Sequence, residues 1–413
     1  MHSANNYYFC GIQPAKMESL IQQFQTRLKI IDLSFKRYLW EQINWDNRLI
    51  AIIGARGVGK TTFLLQHIKE HHTNLNEVLY VSLDNLYFGK STLLDFAGEF
   101  VKLGGKYLFL DEVHKYLNWS VEIKNIYDIY PELNIVITGS SALDIHKGKS
   151  DLSRRVVVYK MNGLSFREFI LLKYNIGFNS YSITDITENA IEIAQIVNKK
   201  IKPIKLFNEY LQTGYYPFFT EGYDFYYQHL EQSINEILET DLPALEPIGF
   251  SAVHNIKKLL MTIAELVPFK PNILKLSKQI GIDRDTLLKY LNRLQSAELL
   301  FLLYTDTYRI SKMNKPEKIY LNNSNLLFAL STSNANTGTI RETFFCNQLG
   351  VKHKINYHSK GDFLIDNNFI FEVGGRNKTQ KQIAGIKNAF IAAGNIEYAY
   401  KNTIPAWMFG FLY

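Results

Sequence analysis

Over the first 160 residues short apolar runs alternate with helix-length stretches. The runs Leu49–Ile53, Val78–Leu83, Tyr107–Leu110, Ile135–Thr138 and Val156–Tyr159 are strand-sized and rich in Ile, Val, Leu and aromatic residues. This alternation predicts a parallel sheet joined by crossover helices. Both faces of such a sheet are buried, so its strands need not alternate apolar and polar positions. Ahead of it, Leu20, Ile21, Phe24, Leu28 and Ile31 recur at helical spacing, and a second amphipathic stretch covers Phe35 to Ile43. After Lys160 the strand pattern stops. Ser165-Phe166-Arg167-Glu168 has the form of a capping box, in which the Ser and Glu side chains satisfy the first free N–H groups of a helix. From there to about Phe250 helices are expected, broken near Gly177, Gly214-Tyr215-Tyr216-Pro217 and Pro243, with Ser180–Asn189 a mobile polar loop.

The pattern changes again further on. Helices over Ile256–Leu266, Ile273–Ile280 and from Asp283 or Arg284 to Ala297, then a strand Leu299–Tyr304, follow winged-helix order. The last eighty residues predict a helix near Arg341–Leu349, strands over Asp362–Ile365 and Phe369–Val373, a helix from about Lys378 to Ala393 and a strand Glu397–Tyr400. The expected fold class is α/β: a P-loop nucleotide-binding parallel sheet with helices on both faces, then a helical and winged-helix region, then a small α+β unit. The expected divisions are a helical lead-in over 1–45, a nucleotide-binding core over 46–165, a helical region over 166–250, a winged helix over 251–335 and the α+β unit over 336–413.

The candidate chemistry sits at the ends of two of these strands. Gly54-Ala55-Arg56-Gly57-Val58-Gly59-Lys60-Thr61 satisfies G-x-x-x-x-G-K-[ST] between a predicted strand and a predicted helix. Glycines let successive N–H groups curl around phosphate oxygens, and the helix directs its positive end at them. Lys60 would reach the outer phosphates, Thr61 would ligate Mg²⁺, and Thr62 extends the nest of N–H groups into the helix. The strand Tyr107–Leu110 then delivers Asp111 and Glu112 to its C-terminal end, where open α/β sheets bind ligands. Asp111 would hold Mg²⁺ through its water shell, and Glu112 would orient and polarise the attacking water. A polar step follows the next strand, with Thr138, Ser140 and Ser141 as candidates to stand between Glu112 and the γ-phosphate, Ser140 favoured. Arg155, beside Arg154, could supply positive charge to a transferring phosphoryl group, in cis or from a neighbouring subunit of a homo-oligomer. No N-K-x-D motif occurs, which favours ATP over GTP.

Composition narrows the setting. Lys and Arg number 46 against 39 Asp and Glu, a formal charge of +7, which suits an anionic partner such as nucleotide, DNA or an acidic protein. Cys10 and Cys346 are the only cysteines, no disulfide framework and no zinc cluster. Neither a signal-peptide pattern nor a span-length apolar run occurs, so a cytoplasmic protein without a membrane partner is expected.

These residues resemble the prokaryotic AAA+ ATPases that carry a C-terminal domain of unknown function. The resemblance rests on the phosphate loop, Tyr80-Val81-Ser82-Leu83-Asp84, Asp111-Glu112-Val113-His114-Lys115 with Trp119, Thr138–Ser141, Arg155 with Leu164–Phe169, and the turn from Gly214 to Pro217. Arg154 stands where the family usually has Gly. The resemblance implies an AAA+ core, a winged helix and a terminal unit like the restriction-endonuclease fold. In that fold a Glu, an Asp and an E-x-K run gather Mg²⁺ and a lysine. Glu342, Asp362 and Glu372 fall in that order, but Gly374 replaces the lysine, leaving Lys378 or Lys381 to substitute. A non-catalytic interaction module is therefore expected at the C-terminal end. Its neighbouring bases Lys352, Lys354, Lys360, Arg376, Lys378 and Lys381 suit a phosphate backbone or an acidic protein surface.

Overall fold

The computed structural model describes residues 14–142, 152, 154–245, 248–305, 315–331 and 336–413. Helix α1 (Pro14–Lys29) turns Leu20, Phe24 and Leu28 inward onto the first sheet. That sheet holds β1 (Leu49–Gly54), β2 (Val78–Ser82), β3 (Tyr107–Asp111), β4 (Asn134–Ser140) and β5 (Val157–Lys160). All its pairings are parallel, in the order β5-β1-β4-β3-β2. The connections carry α2 (Lys60–His71), α3 (Leu93–Lys102) and α4 (Trp119–Ile129). Leu49 to Ile52 and Leu108 to Leu110 are fully enclosed, which explains their unbroken hydrophobicity.

Helices α5 (Phe166–Tyr174), α6 (Ile183–Glu188), α7 (Ala190–Lys200) and α8 (Pro203–Thr213) follow. The capping box at Ser165 and Glu168 is present. The segment Ser180–Asn189 is not the expected loop. Ser182 and Asp185 form a second capping box, and Ile183 and Ile186 give α6 a buried face that its polar composition disguised. Helix α9 (Tyr226–Glu236) runs through a π-turn, Ile237–Asp241, into α10 (Leu242–Leu245), so Pro243 does not break the path as expected. Proline cannot donate to the preceding turn and its ring crowds the carbonyl four residues back. The wider π-turn just ahead of it makes room for that ring.

Next come α11 (Phe250–Leu266), α12 (Ile273–Ile280), α13 (Arg284–Ser296) and an antiparallel pair, β6 (Leu300–Leu303) with β7 (Lys318–Leu321). Asp283 caps α13, its carboxylate accepting from the N–H groups of Asp285 and Thr286. Helices α14 (Ser324–Leu330) and α15 (Thr337–Leu349) lead to a second sheet. Its strands are β8 (Ile355–Tyr357), β9 (Phe363–Ile365), β10 (Phe369–Gly374), β11 (Ala389–Ala393) and β12 (Thr403–Pro405), in sequence order across the sheet. The helix expected over Lys378–Ala393 is absent. Gly385 and Asn388 take positive φ and end any helix, and Ala389–Ala393 lies between β10 and β12 as a parallel strand. A five-residue apolar run carries no periodicity to separate the two outcomes. The strand expected at Glu397–Tyr400 is likewise replaced by β12, which pairs with the enclosed Ile391 and Ala392. Among the described residues no helix is long and apolar enough to cross a membrane.

Candidate functional site

Sheet order places the ends of β1, β4 and β3 side by side, and the chemistry gathers there. The chain leaves β1 at Gly54 and curls before α2. Gly57 (φ +83°) and Gly59 (φ +95°) take left-handed conformations that β-carbon-bearing residues resist. Lys60 is almost fully buried, and its ammonium donates to the carbonyls of Gly54 (2.9 Å) and Ala55 (3.0 Å). Thr62, the third residue of α2, is exposed. The loop is held from behind by Arg37, whose guanidinium donates to the Val58 carbonyl (2.6 Å), the Asn162 carbonyl (2.6 Å) and the Glu168 carboxylate (3.0 Å). From the front, Pro217 and Phe218 pack against Gly59 and Gly57.

At the end of β3 the two acids face different neighbours. Asp111 is buried and accepts from Thr61 Oγ1 (2.6 Å), Tyr80 OH (2.8 Å) and Thr138 Oγ1. Burial and the adjacent carboxylate push the Tyr80 hydroxyl far above its ordinary range, so it stays a donor to Asp111. Glu112 takes φ +53°, a strained position for a residue with a side chain, and its carboxylate is partly exposed. Its N–H donates to Thr138 Oγ1 (3.2 Å). Ser140 is paired in register with Gly54, alongside the loop, but the hydroxyl touching Asp111 belongs to Thr138. Thr61 Oγ1 and the Asp111 carboxylate are hard oxygen donors held together, which fits Mg²⁺ with nucleotide oxygens and water completing its shell.

Arg155 lies elsewhere. It precedes Val157, which pairs with Ile50 near the start of β1, at the sheet end opposite the loop. There its guanidinium forms a two-point pair with Asp128 (3.0 and 3.1 Å). The register thus takes Arg155 away from the loop of its own chain. Beside the second sheet, Lys318 of β7 lies 3.1 Å from both Glu342 of α15 and Asp362 just ahead of β9. Lys378 reaches Glu372 (2.6 Å), and its stem fills the space beside Gly374, where an added β-carbon would lie 2.6 Å from Lys378 Cγ. Lys381 sits in a short exposed turn.

Three contacts of the loop escape a sequence reading, because each partner is remote in the chain. Arg37 and Glu298 are buried charges, and Asp241 is a buried acid at the π-turn. Glu298 Oε2 accepts from the Ala55 N–H (3.1 Å), and Oε1 pairs with Lys160 (2.6 Å). Burial opposes the Lys160 charge, but Glu298 more than offsets this and raises the Lys160 pKa. Only the backbone marks Glu298: it takes φ +57° just after a helix, where Gly or Asn is usual. Asp241 carries no mark in the sequence: it shares the stretch between Leu238 and Leu242 with Glu239, and only the π-turn buries it.

Residues 46–170 match the family model for an AAA domain, and residues 204–337 match a domain of unknown function, DUF8612. Two uncharacterized proteins of Methanocaldococcus jannaschii are similar to this chain. MJ1637 is 27% identical over 340 residues, covering 77% of this chain and 70% of its own. MJ1544 is 26% identical over 360 residues, covering 82% and 74%. Among solved structures, AMPPCP-bound DnaA from Aquifex aeolicus covers 67% of this chain and 88% of its own at 17% identity and a TM-score of 0.27. PCH-2 of C. elegans covers 68% and 66% at 12% identity and a TM-score of 0.25. The segment 46–170, with its β5-β1-β4-β3-β2 parallel sheet and glycine-rich loop, is thus an AAA domain of the P-loop fold, joined to a DUF8612 domain at 204–337.

Proposed function

We propose that the chain is a Mg²⁺-dependent ATPase whose nucleotide state repositions its C-terminal units. The observation that carries this is the convergence of Lys60, Thr61, Asp111 and Glu112 at the ends of β1 and β3, the strands on either side of β4. In this reading Lys60 exchanges the Gly54 and Ala55 carbonyls for the outer phosphates, while the N–H groups of residues 54–62 cradle the rest. Bound Mg²⁺ supplies charge neutralisation on the phosphates, with Thr61 and Asp111 as its protein ligands. Glu112 takes the proton of the attacking water, and Ser140, beside Gly54, lines the approach. Arg155 acts on the nucleotide of a neighbouring subunit, since its own loop is at the other end of the sheet. The contact of Glu298 with Ala55, and of Pro217 and Phe218 with the loop glycines, supports a path from nucleotide to the later units. Within those units α11 to α13 with β6 and β7 support the winged-helix reading; the segment 306–314 between the two strands lies outside the described residues. The divisions at 45, 165, 250 and 335 and a cytoplasmic setting belong to the same reading.

Lys60→Ala tests the placement of the nucleotide. Removing one charge-assisted contact is expected to weaken ATP binding about tenfold or more, measured by calorimetry. Unchanged affinity would move the site elsewhere.

The second sheet supports an interaction module over a nuclease. The Lys318 ammonium stands between Glu342 and Asp362, where a restriction-type centre would hold its metal. Incubation with linear or supercoiled DNA, Mg²⁺ or Mn²⁺, with and without ATP, is expected to give no cutting and at most weak, salt-sensitive binding. Cleavage that vanishes in Asp362→Ala and Glu372→Ala would overturn this and make Lys378 the catalytic lysine.

A further inference from the structure

The loop after β3 and the π-turn meet at one imidazole. Ser140 N–H points at His114 Nδ1 (3.4 Å), which makes Nδ1 the acceptor and puts the ring hydrogen on Nε2. Nε2 lies 3.3 Å from Glu112 Oε2 and 3.4 Å from Asp241 Oδ1, aligned on neither. The His114 side chain is 1% exposed and that of Asp241 3%, so water cannot serve as a second donor between them. One N–H therefore stands between two carboxylates and can satisfy only one at a time.

The two carboxylates are not equivalent. Asp241 cannot leave: it is fixed in the π-turn, paired with Lys115, and has Arg56 of the phosphate loop 3.9 Å away. Burial pushes its pKa up, but the His114 N–H and the Lys115 ammonium outweigh that and hold it at about 2. Glu112 is 22% exposed and free to turn toward a nucleotide.

We propose that Asp241 is a positioning residue for hydrolysis: it competes with Glu112 for the His114 N–H and so leaves Glu112 free to act on water. When Asp241 holds the N–H, the Glu112 carboxylate keeps its mobility. When Asp241 is weakened as an acceptor, the N–H passes to Glu112 and ties it to the ring, away from the water it would act on. The π-turn is the element that brings Asp241 within reach, so the docking of α9 and α10 bears directly on the water-activating residue. The same carboxylate faces Arg56 and His114, and so touches both halves of the site.

The inference rests on the ATPase reading above, and the test separates the two. ATP turnover and ATP affinity are measured for Asp241→Asn, His114→Leu and the double variant. Asp241→Asn is expected to lower kcat about tenfold in the wild-type background, a size typical of coupled neighbours, with little change in affinity. In the His114→Leu background the same substitution is expected to have no further effect, because no N–H is left to redirect. If His114→Leu does not fold, His114→Gln serves instead. Its amide has two N–H groups, enough for both carboxylates, so the effect of Asp241→Asn should again disappear. A merely structural role through Lys115 and Arg56 predicts an equal loss in every background, and that result would overturn the proposal. So would full turnover by Asp241→Asn. Wild-type turnover no faster than that of Glu112→Gln would sink the ATPase reading and this proposal with it.

Discussion

Glu112→Gln is expected to slow ATP hydrolysis about 100-fold while ATP binding is retained, because an amide can hold the water but cannot take its proton. The geometry isolates this residue from the binding groups. Lys60 and the loop N–H groups handle the phosphates, Thr61 and Asp111 form a separate pair, and Glu112 follows in the strained turn after β3 with its carboxylate partly exposed. Phosphate release at saturating ATP, with affinity measured in parallel, gives the check. A variant that hydrolyses as fast as wild type, with both above the Lys60→Ala background, would remove Glu112 from the chemistry. A variant that loses binding as well would show that Glu112 supports the loop instead.

Glu168→Ala should destabilise the protein by about 3–5 kcal/mol, the usual result of leaving one member of a buried ion pair alone. The Arg37 side chain is 4% exposed and that of Glu168 1%. Glu168 also accepts from the N–H groups of Tyr38 (2.6 Å) and Ser165 (3.0 Å), so one substitution orphans a guanidinium and two backbone donors together. The guanidinium would then pull at its remaining partners, the carbonyls of Val58 and Asn162, and Val58 is part of the phosphate loop. The expected result is a large fall in the thermal midpoint together with weaker ATP binding. A loss below about 1 kcal/mol would mean that water reaches Arg37 and that the pair is not sealed. Replacing both partners by apolar residues should cost less than Glu168→Ala alone, since no buried charge is then left unpaired.

What was legible in the sequence was whatever the chain writes locally. The phosphate loop is eight consecutive residues, the strands β1 to β4 are unbroken apolar runs, and the capping box at Ser165 spans four positions. All were read within a residue or two. At the end of β4 three hydroxyls could be named from the sequence; that Thr138 is the one of them bonded to Asp111 follows from the register of β3 and β4, which the sequence does not carry. Register also moved Arg155 to the far end of the sheet. The errors came where composition misleads. Ile183 and Ile186 are too few to announce a helix amid Ser, Thr, Asp and Asn, and Ala389–Ala393 has too little length to reveal its period. Asp241, Glu298 and Arg37 were invisible as site residues because their roles are set by partners more than a hundred residues away in the cases of Asp241 with Lys115, Glu298 with Ala55 and Arg37 with Glu168.

Tyr413 lies inside the structure: its carbonyl accepts from Ser165 and Arg167 at the start of α5, and its ring is buried against Tyr38. Ser165 and Tyr413 are 248 residues apart, so at synthesis rates of about 5–20 residues per second α5 waits roughly 12–50 s for Tyr413. The first sheet is complete long before then, and Phe166, which meets Phe207 and Tyr210 of α8 early, lacks its third ring until Phe411 emerges. During that interval the apolar side of α5 that meets Phe411 is open to solvent and to non-native contacts. Proteolysis of ribosome-stalled chains ending before residue 406 should accordingly cut near α5, and chains carrying the last residues should resist at the same place.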